Sequence, residues 1–558
     1  MRDKETIAWL NMAVKKYKSL IWVLVLLQIV INGVAVCYAL IMKRMVDHAV
    51  SGDRAGFVRG LAVFGLLMAV LILLRIVIRQ IEEWSKSGLE NSLKERLFKN
   101  LLRKDYAQIS AVHSEEWMNR MTSDTSVCAT GMTDILPGFV GMLVRMSGAL
   151  LMMFVLLPEL AYIMIPGGIL FVGITLVLRK YLKGQHKIVQ EKDGAVRVYL
   201  QERISSMLIL RTFGVEAQAL DEAKETFTEH KGARMKKALI SNICNSGFSV
   251  AINGMYLIGI AYCGFGIVSG RVSYGTLTAI IQLIGQLQAP LSGISGFVPR
   301  FFACLASAER LMEVEEYKEA CTEQILSSQE VKTLYEESIQ EIVFDKVSFD
   351  YIKDGDSSPV LQEVSLAVQK GDAVAFTGAS GCGKSTLLKL LMGVYEPKSG
   401  KIEVLLSNGK RMSVTALKRL FAYVPQGNFL MGGTIKDVIT FGREETGHSM
   451  TVEKALKLAC GEFVFELPEG LNTMLGEKGA GLSEGQMQRI AIARALYADA
   501  PVLILDEATS ALDCETEKEL LCNLKKLTDK SVFIVTHRPE ALNICNRKVE
   551  FAEGGKIL

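Results

Sequence analysis

The chain has 558 residues, of which 50% are hydrophobic and 22% charged, and its mean hydropathy is +0.27. That excludes one ordinary soluble domain. With 63 Lys and Arg against 60 Asp and Glu the formal charge is +3, too weak a field to collect a polyanion, so no nucleic-acid partner is expected.

The apolar excess falls in residues 1–312, which read as a transmembrane domain. Crossing a ~30 Å hydrocarbon layer takes about 20 helical residues. Runs of that length occur at about 20–42, 58–78, 135–157, 160–178, 238–268 and 274–299, the second interrupted by Arg75 and the third by Arg145. Lys and Arg crowd the stretch before the first run and the long connections after the second and fourth, while the alternate connections are short. Cytosolic loops carry that excess, so both ends of the chain are expected in the cytosol and the chain in the cell (inner or plasma) membrane. The first run is too long and lacks a small-residue cleavage site, so it reads as a signal anchor. The long loops, without proline and with charge mixed among apolar positions, read as cytosolic extensions of the membrane helices. The 11 cysteines are scattered, which argues against a disulfide framework or a zinc site.

Residues 313–340 are polar and acidic, a linker, and 341–558 alternate short apolar runs with amphipathic stretches, as an α/β domain does. There Asp372–Phe376 reads as a strand, followed by Gly378-Ala-Ser380-Gly381-Cys382-Gly383-Lys384-Ser385-Thr386 and a helix. That is GxxxxGK[ST] in its strand-loop-helix context. Glycines let backbone amides turn toward phosphate oxygens, Lys384 can reach the terminal phosphates, and Ser385 can join a magnesium shell. A second apolar run, Pro501–Leu505, ends in Asp506 and Glu507, and a third, Ser531–Thr536, ends in His537. Acids at the carboxyl end of a parallel strand fall beside the ligand, which suits Asp506 to magnesium and Glu507 to the general base. Leu482-Ser483-Glu484-Gly485-Gln486 precedes a helix; Ser483 and Gln486 stand in the capping-box relation, and a capped helix start is also an anion site.

In order and spacing these motifs resemble the ATP-binding-cassette exporters, as a half-transporter with six membrane helices fused to one nucleotide-binding domain of the P-loop type. The resemblance implies Tyr351 as the ring under adenine, residues 378–386 as Walker A and Gln426 as the Q-loop residue touching magnesium. It further implies residues 482–486 as the signature, Asp506 and Glu507 as Walker B and base, Ser510 and Asp513 in the D-loop, and His537 as the switch. Gly476–Gly479 matches an exporter-specific segment, and residues 113–124 and 210–216 are similar to the coupling segments. ATP and Mg2+ are the implied ligands. Each ATP would lie between one chain's Walker A and the signature of a second half-transporter, either the same chain or a paralogue. Glu484 stands where the family usually has glycine, which fits an outward-facing variant or a signature donated to a different partner. The importer and ATP-gated regulatory subunits of the same architecture are the alternatives to export; Glu507 with His537 favours a pump. The transported molecule is expected to be an amphipathic small molecule, lipid or peptide. Arg145, Gln282 and Gln286, with Gln28 and Asn32, either line a polar substrate cavity, suiting amphipathic or anionic cargo, or join helices by hydrogen bonds.

Overall fold

The computed structural model describes residues 2–320, 325–353, 356–427, 430–442, 450–476, 481–552 and 554–557. They fall into two compact units: Met1–Asn100 with Ser114–Glu316, and Leu101–His113 with Tyr317–Leu558.

In chain order the helices of the amino-terminal half are α1 (Arg2–Ala13), α2 (Lys18–Val50), α3 (Arg54–Arg103), α4 (Tyr106–Ser110), α5 (Ser114–Asn119), α6 (Thr125–Thr130), α7 (Leu136–Leu156), α8 (Pro158–Ser205), α9 (Met207–Phe213), α10 (Glu216–Val268) and α11 (Tyr274–Glu316). Two π-helical stretches, Arg120–Asp124 and Gly131–Ile135, join α5, α6 and α7 into one rod. Among the described residues Lys15–Val50, Arg54–Arg103 and Ser114–Leu156 are long and apolar enough to cross a membrane. The other three expected spans fall within α8, α10 and α11.

Leu66, Leu73 and Ile76 stand more than half exposed along α3, a surface that lipid can cover without cost. Val36, Ala149, Met153, Leu283, Ile284 and Leu287 pack inward between α2, α7 and α11. One buried charge inside this unit is paired: Asp124, 1% exposed, accepts from Ser307 Oγ at 2.8 Å and from Arg310 Nε at 2.8 Å. At the far end Asp47 Oδ1 accepts from Gly275 N at 2.9 Å, capping the start of α11. A side chain at Gly275 would stand 2.1 Å from Lys43 O, so this approach of α11 to α2 requires glycine.

The second unit continues with α12 (Ser328–Glu337), β1 (Ile339–Lys353), β2 (Asp356–Gln369), β3 (Ala373–Gly378), α13 (Lys384–Leu391), β4 (Ser399–Leu406), β5 (Arg411–Ser413), β6 (Phe421–Val424), β7 (Gly433–Thr434), α14 (Ile435–Thr440), α15 (Val452–Leu458), β8 (Met474–Leu475), α16 (Glu484–Tyr497), β9 (Val502–Asp506), α17 (Cys514–Lys525), β10 (Ser531–Val535), α18 (Pro539–Leu542) and β11 (Arg547–Phe551). The polar stretch expected as a linker carries α12, opened by a capping box between Ser327 and Glu330.

Strands β2-β1-β4-β5 form an antiparallel sheet, and β11-β3-β10-β9-β6 a parallel one. Every residue of β9 and β10 is buried, as both faces of a parallel sheet require. The period of two divides them: Leu503, Leu505, Val532 and Ile534 join one core with α14 to α17, while Val502, Ile504, Phe533 and Val535 join another with α13 and the antiparallel sheet. The Walker A helix and the signature helix therefore belong to different cores of one domain.

Candidate functional site

The phosphate loop follows β3, and its turn needs three positive-φ glycines, Gly378, Gly381 and Gly383. Gly383 is tightest, since a Cβ there would meet Leu361 Cδ2 at 2.7 Å. Ser380 is exposed at the loop's tip, and Cys382 and Thr386 are buried at its base. Lys384, 6% exposed, donates to Gly378 O at 2.7 Å and Ala379 O at 2.8 Å, so reaching a phosphate exchanges those carbonyls for phosphate oxygens.

The carboxyl ends of β3, β9 and β6 bring the remaining polar groups together. Ser385 Oγ donates to Asp506 Oδ1 at 3.0 Å and Tyr423 OH to Asp506 Oδ2 at 3.2 Å. Asp506 is 1% exposed, and its burial raises the carboxyl pKa against those two hydrogen bonds. Beside it Gln426 Nε2 donates to Glu507 Oε2 at 2.8 Å. Glu507 holds φ at 52°, a left-handed turn that a non-glycine residue adopts at a cost, and its N–H is anchored on Val535 O at 3.0 Å. His537, exposed, follows β10 in the same sheet. Hard oxygen donors from a serine, an aspartate and a glutamine amide are a set that suits a small divalent cation. Tyr351 OH lies 3.2 Å from Thr386 Oγ1, placing its ring next to the Walker A helix.

The signature segment is elsewhere in the domain. Ser483 and Gln486 form the capping box at the start of α16; Glu484 is exposed at its first position, and Leu482 packs on the core of α14 to α17. Gly485 is placed so that an added Cβ would meet Ala511 O at 2.9 Å, so the D-loop backbone rides on this helix. Asp513 caps α17, accepting from Thr516 N at 2.9 Å, and its carboxyl is held below the ordinary range by those amides. Residues 477–479 of the exporter-specific segment lie outside the described residues.

Three site residues escape a sequence reading. Gln488, 5% exposed, donates to Ser510 Oγ at 3.1 Å and accepts from Ala511 N at 3.0 Å. Arg538 donates to Ser510 O at 2.7 Å, Leu512 O at 3.0 Å and Glu517 Oε2 at 2.7 Å, stitching the D-loop to the residue after His537. Tyr423 is the third. The only local signal was position, next to a motif.

In the membrane unit Gln286 Nε2 donates to Ala35 O at 2.7 Å, a bond between α11 and α2. Its Oε1, the Oε1 of Gln282 and the Nε of Arg145 are buried and find no hydrogen-bond partner among the described residues. Asn32 turns to its own helix, bonding Gln28 O at 2.8 Å.

A phosphate-binding loop, two consecutive acids at the end of β9 in the same sheet and a helical membrane region in one chain define a membrane-bound nucleotide hydrolase. The family profile described as ABC transporter transmembrane region matches residues 21–291, and that described as ABC transporter matches residues 361–510. The chain belongs to the ATP-binding-cassette transporters, as an ATP-hydrolysing half-transporter of the exporter type. Among curated relatives, a putative multidrug export ATP-binding/permease protein of Bacillus subtilis, YgaD, is 28% identical over 98% of this chain and 94% of its own length. An ATP-dependent lipid A-core flippase of Vibrio parahaemolyticus is 26% identical over 94% and 89%. A solved structure of a bacterial Atm1-family ABC exporter with ATP bound shares the fold, with a TM-score of 0.77 and 22% identity over 98% of this chain and 95% of that one.

Proposed function

We propose that two copies of this chain form an exporter of acidic amphiphiles, driven by ATP and Mg2+, in the cell membrane with both termini in the cytosol. The observation that carries the ATPase assignment is the meeting of Ser385, Asp506, Gln426 and Glu507 at the strand ends. In this reading Lys384 and the loop amides hold the phosphates and Tyr351 the base. Ser385, Asp506 and Gln426 hold Mg2+, which neutralises phosphate charge, while Glu507 orients the attacking water and His537 faces the terminal phosphate. Residues 482–486 complete the site of the other copy. Glu484, exposed and outside the cap, supports pairing of like chains.

Two surfaces support a second copy. Helix α9 leaves Leu208 80% and Phe213 75% exposed. The nucleotide-binding unit has a groove of about 420 Å³ lined by Phe421, Tyr423, Met431, Phe441, Arg494 and Tyr497. Exposed apolar faces of this size mark contact surfaces, and each copy's α9 can fill the other's groove.

Cargo charge is argued from Arg145, which shares its surroundings with the cation of Arg75 and has an unbonded Nε. An intramembrane cation whose Nε finds no hydrogen-bond partner among the described residues suits an anionic headgroup. The test is ATP-dependent movement of a fluorescent phosphatidylglycerol and its phosphatidylcholine counterpart in proteoliposomes. Preference for the acidic lipid, lost in Arg145→Gln with basal ATPase kept, supports the reading; equal handling of both lipids overturns the cargo assignment.

A further inference from the structure

Both acids at the end of β9 are held from β6 and the turn that follows it. The two strands run parallel, with Tyr423 opposite Ile504 and Val424 opposite Leu505. Alternation puts Phe421 and Tyr423 on the same face of the sheet as Val502 and Ile504, the face packed against α13. Asp506, two residues beyond Ile504, continues that face. Tyr423 and Asp506 therefore turn toward the Walker A helix together, and the tyrosine hydroxyl meets Asp506 Oδ2 at 3.2 Å. Three residues further along, Gln426 Nε2 donates to Glu507 Oε2 at 2.8 Å.

Both oxygens of Asp506 are thus engaged, Oδ1 by Ser385 at 3.0 Å and Oδ2 by Tyr423. A carboxylate bonded at both oxygens turns about its Cβ–Cγ bond only by breaking one of them. At 1% exposure bulk water does not replace what is broken. The plane of the carboxylate is fixed by these two hydroxyls.

The donors on the two acids differ in what a cation would ask of them. Ser385 and Gln426 belong to the proposed metal set, so their present bonds change when their oxygens turn to a cation. Tyr423 does not belong to it. It approaches Asp506 from the other oxygen, and its bond is the one on that carboxylate that a cation beside Ser385 leaves in place. Partners of this kind set the orientation of a metal-binding carboxylate without touching the metal.

We infer that Tyr423 is a positioning residue for the divalent cation: its hydroxyl holds Oδ2 of Asp506 so that Oδ1 stays beside Ser385, where both serve Mg2+. The inference rests on the proposed reading of the ATP and Mg2+ site.

The experiment uses full-length protein in nanodiscs and equilibrium binding of radiolabelled ATPγS, a slowly hydrolysed analogue. The dissociation constant is measured in EDTA and again in saturating Mg2+, and the ratio of the two is the coupling between metal and nucleotide on the protein. Mg2+ binding to the free analogue is common to every variant, so a change in the ratio reports the hold of the protein on the metal. Tyr423→Phe keeps the ring and removes the hydroxyl. It is expected to bind within about twofold of the parent in EDTA, while the ratio falls by at least about tenfold, the lower end of what the loss of such a partner costs a metal site. An equal ratio in parent and Tyr423→Phe overturns the inference. So does a larger one, which would make the hydroxyl a competitor of the cation. Weaker binding of Tyr423→Phe in EDTA also overturns it, because the hydroxyl would then support the nucleotide site as a whole. Asp506→Asn, measured alongside, tests the reading beneath. If its ratio equals that of the parent, Asp506 does not serve the metal, and the Mg2+ assignment fails whatever Tyr423→Phe does.

Discussion

Asp506 shows how this site trades stability for binding. Burial raises its carboxyl pKa, so the folded chain holds the proton more tightly than the unfolded chain does. The stability from this group is present below the ordinary carboxylate range and is lost as pH rises through the raised value. At neutral pH the ionised, 1% exposed side chain is a cost to the fold. Asp506→Asn is therefore expected to raise the Tm of the ligand-free protein at pH 7 by roughly 2–4 °C, the shift that about 1 kcal/mol produces in a domain of some 200 residues. The same variant should lose the Tm increase that MgATP gives the parent. Thermal unfolding with and without MgATP checks both, and a lower ligand-free Tm would show that Ser385 and Tyr423 outweigh burial. Gly485 makes a second residue-scale case, because an alanine Cβ there would stand 2.9 Å from a backbone oxygen, Ala511 O, which cannot rotate away. Gly485→Ala should push the D-loop off α16 and lower ATPase kcat by at least about tenfold, as small misplacements near reacting groups do. ATP binding to the same chain's Walker A is expected to be unchanged.

At the scale of elements, some of the architecture was legible because its signals are local. The phosphate loop needs positive-φ glycines between a strand and a helix, and the capping box at Ser483 and Gln486 spans three residues, so sequence spacing reveals both. Gln488, Arg538 and Tyr423 leave no such trace. Their partners lie between 21 and 83 residues away along the chain, and only the fold of the nucleotide-binding unit brings them close. The intramembrane glutamines were legible as polar but not as to role. Gln286 turns out to bond across helices and still present a bare acceptor, because one amide carries both a donor and an acceptor. The π-helical stretches around α6 were not foreseen either; the first ends at Asp124, which takes Arg310 and Ser307 from α11. Arg310 is itself 45% exposed while Asp124 is buried, so removing the arginine leaves a buried acceptor short of partners at a cost of about 1–3 kcal/mol. Arg310→Ala should accordingly lower the detergent-solubilised Tm, whereas the double variant Asp124→Asn with Arg310→Ala should recover part of the loss. Equal Tm values for parent and Arg310→Ala would show that the pair contributes nothing.

For the whole molecule, the division of the nucleotide-binding unit into two cores makes a specific statement about assembly. Walker A is built on the core of α13, and the signature on the core of α14 to α17, where its cap and Gly485 are committed to the D-loop of its own chain. If each ATP needs a Walker A and a signature from different copies, two dead variants can complement one another. Lys384→Ala removes the phosphate contacts of one chain, and Gly485→Ala distorts the signature of the other. In a mixed dimer one site combines both lesions, while the second combines an intact Walker A with an intact signature. Co-expression with two affinity tags and sequential purification isolates that mixed species. Its ATPase is expected to exceed that of either variant alone, and the addition of Glu507→Gln to the chain that supplies the intact Walker A should abolish the recovery. A mixed dimer no more active than its parents would mean that each chain completes its own site or that both sites must be intact to fire. A third preparation, wild type paired with Lys384→Ala, separates these, because its one intact site is active only when the two sites fire independently.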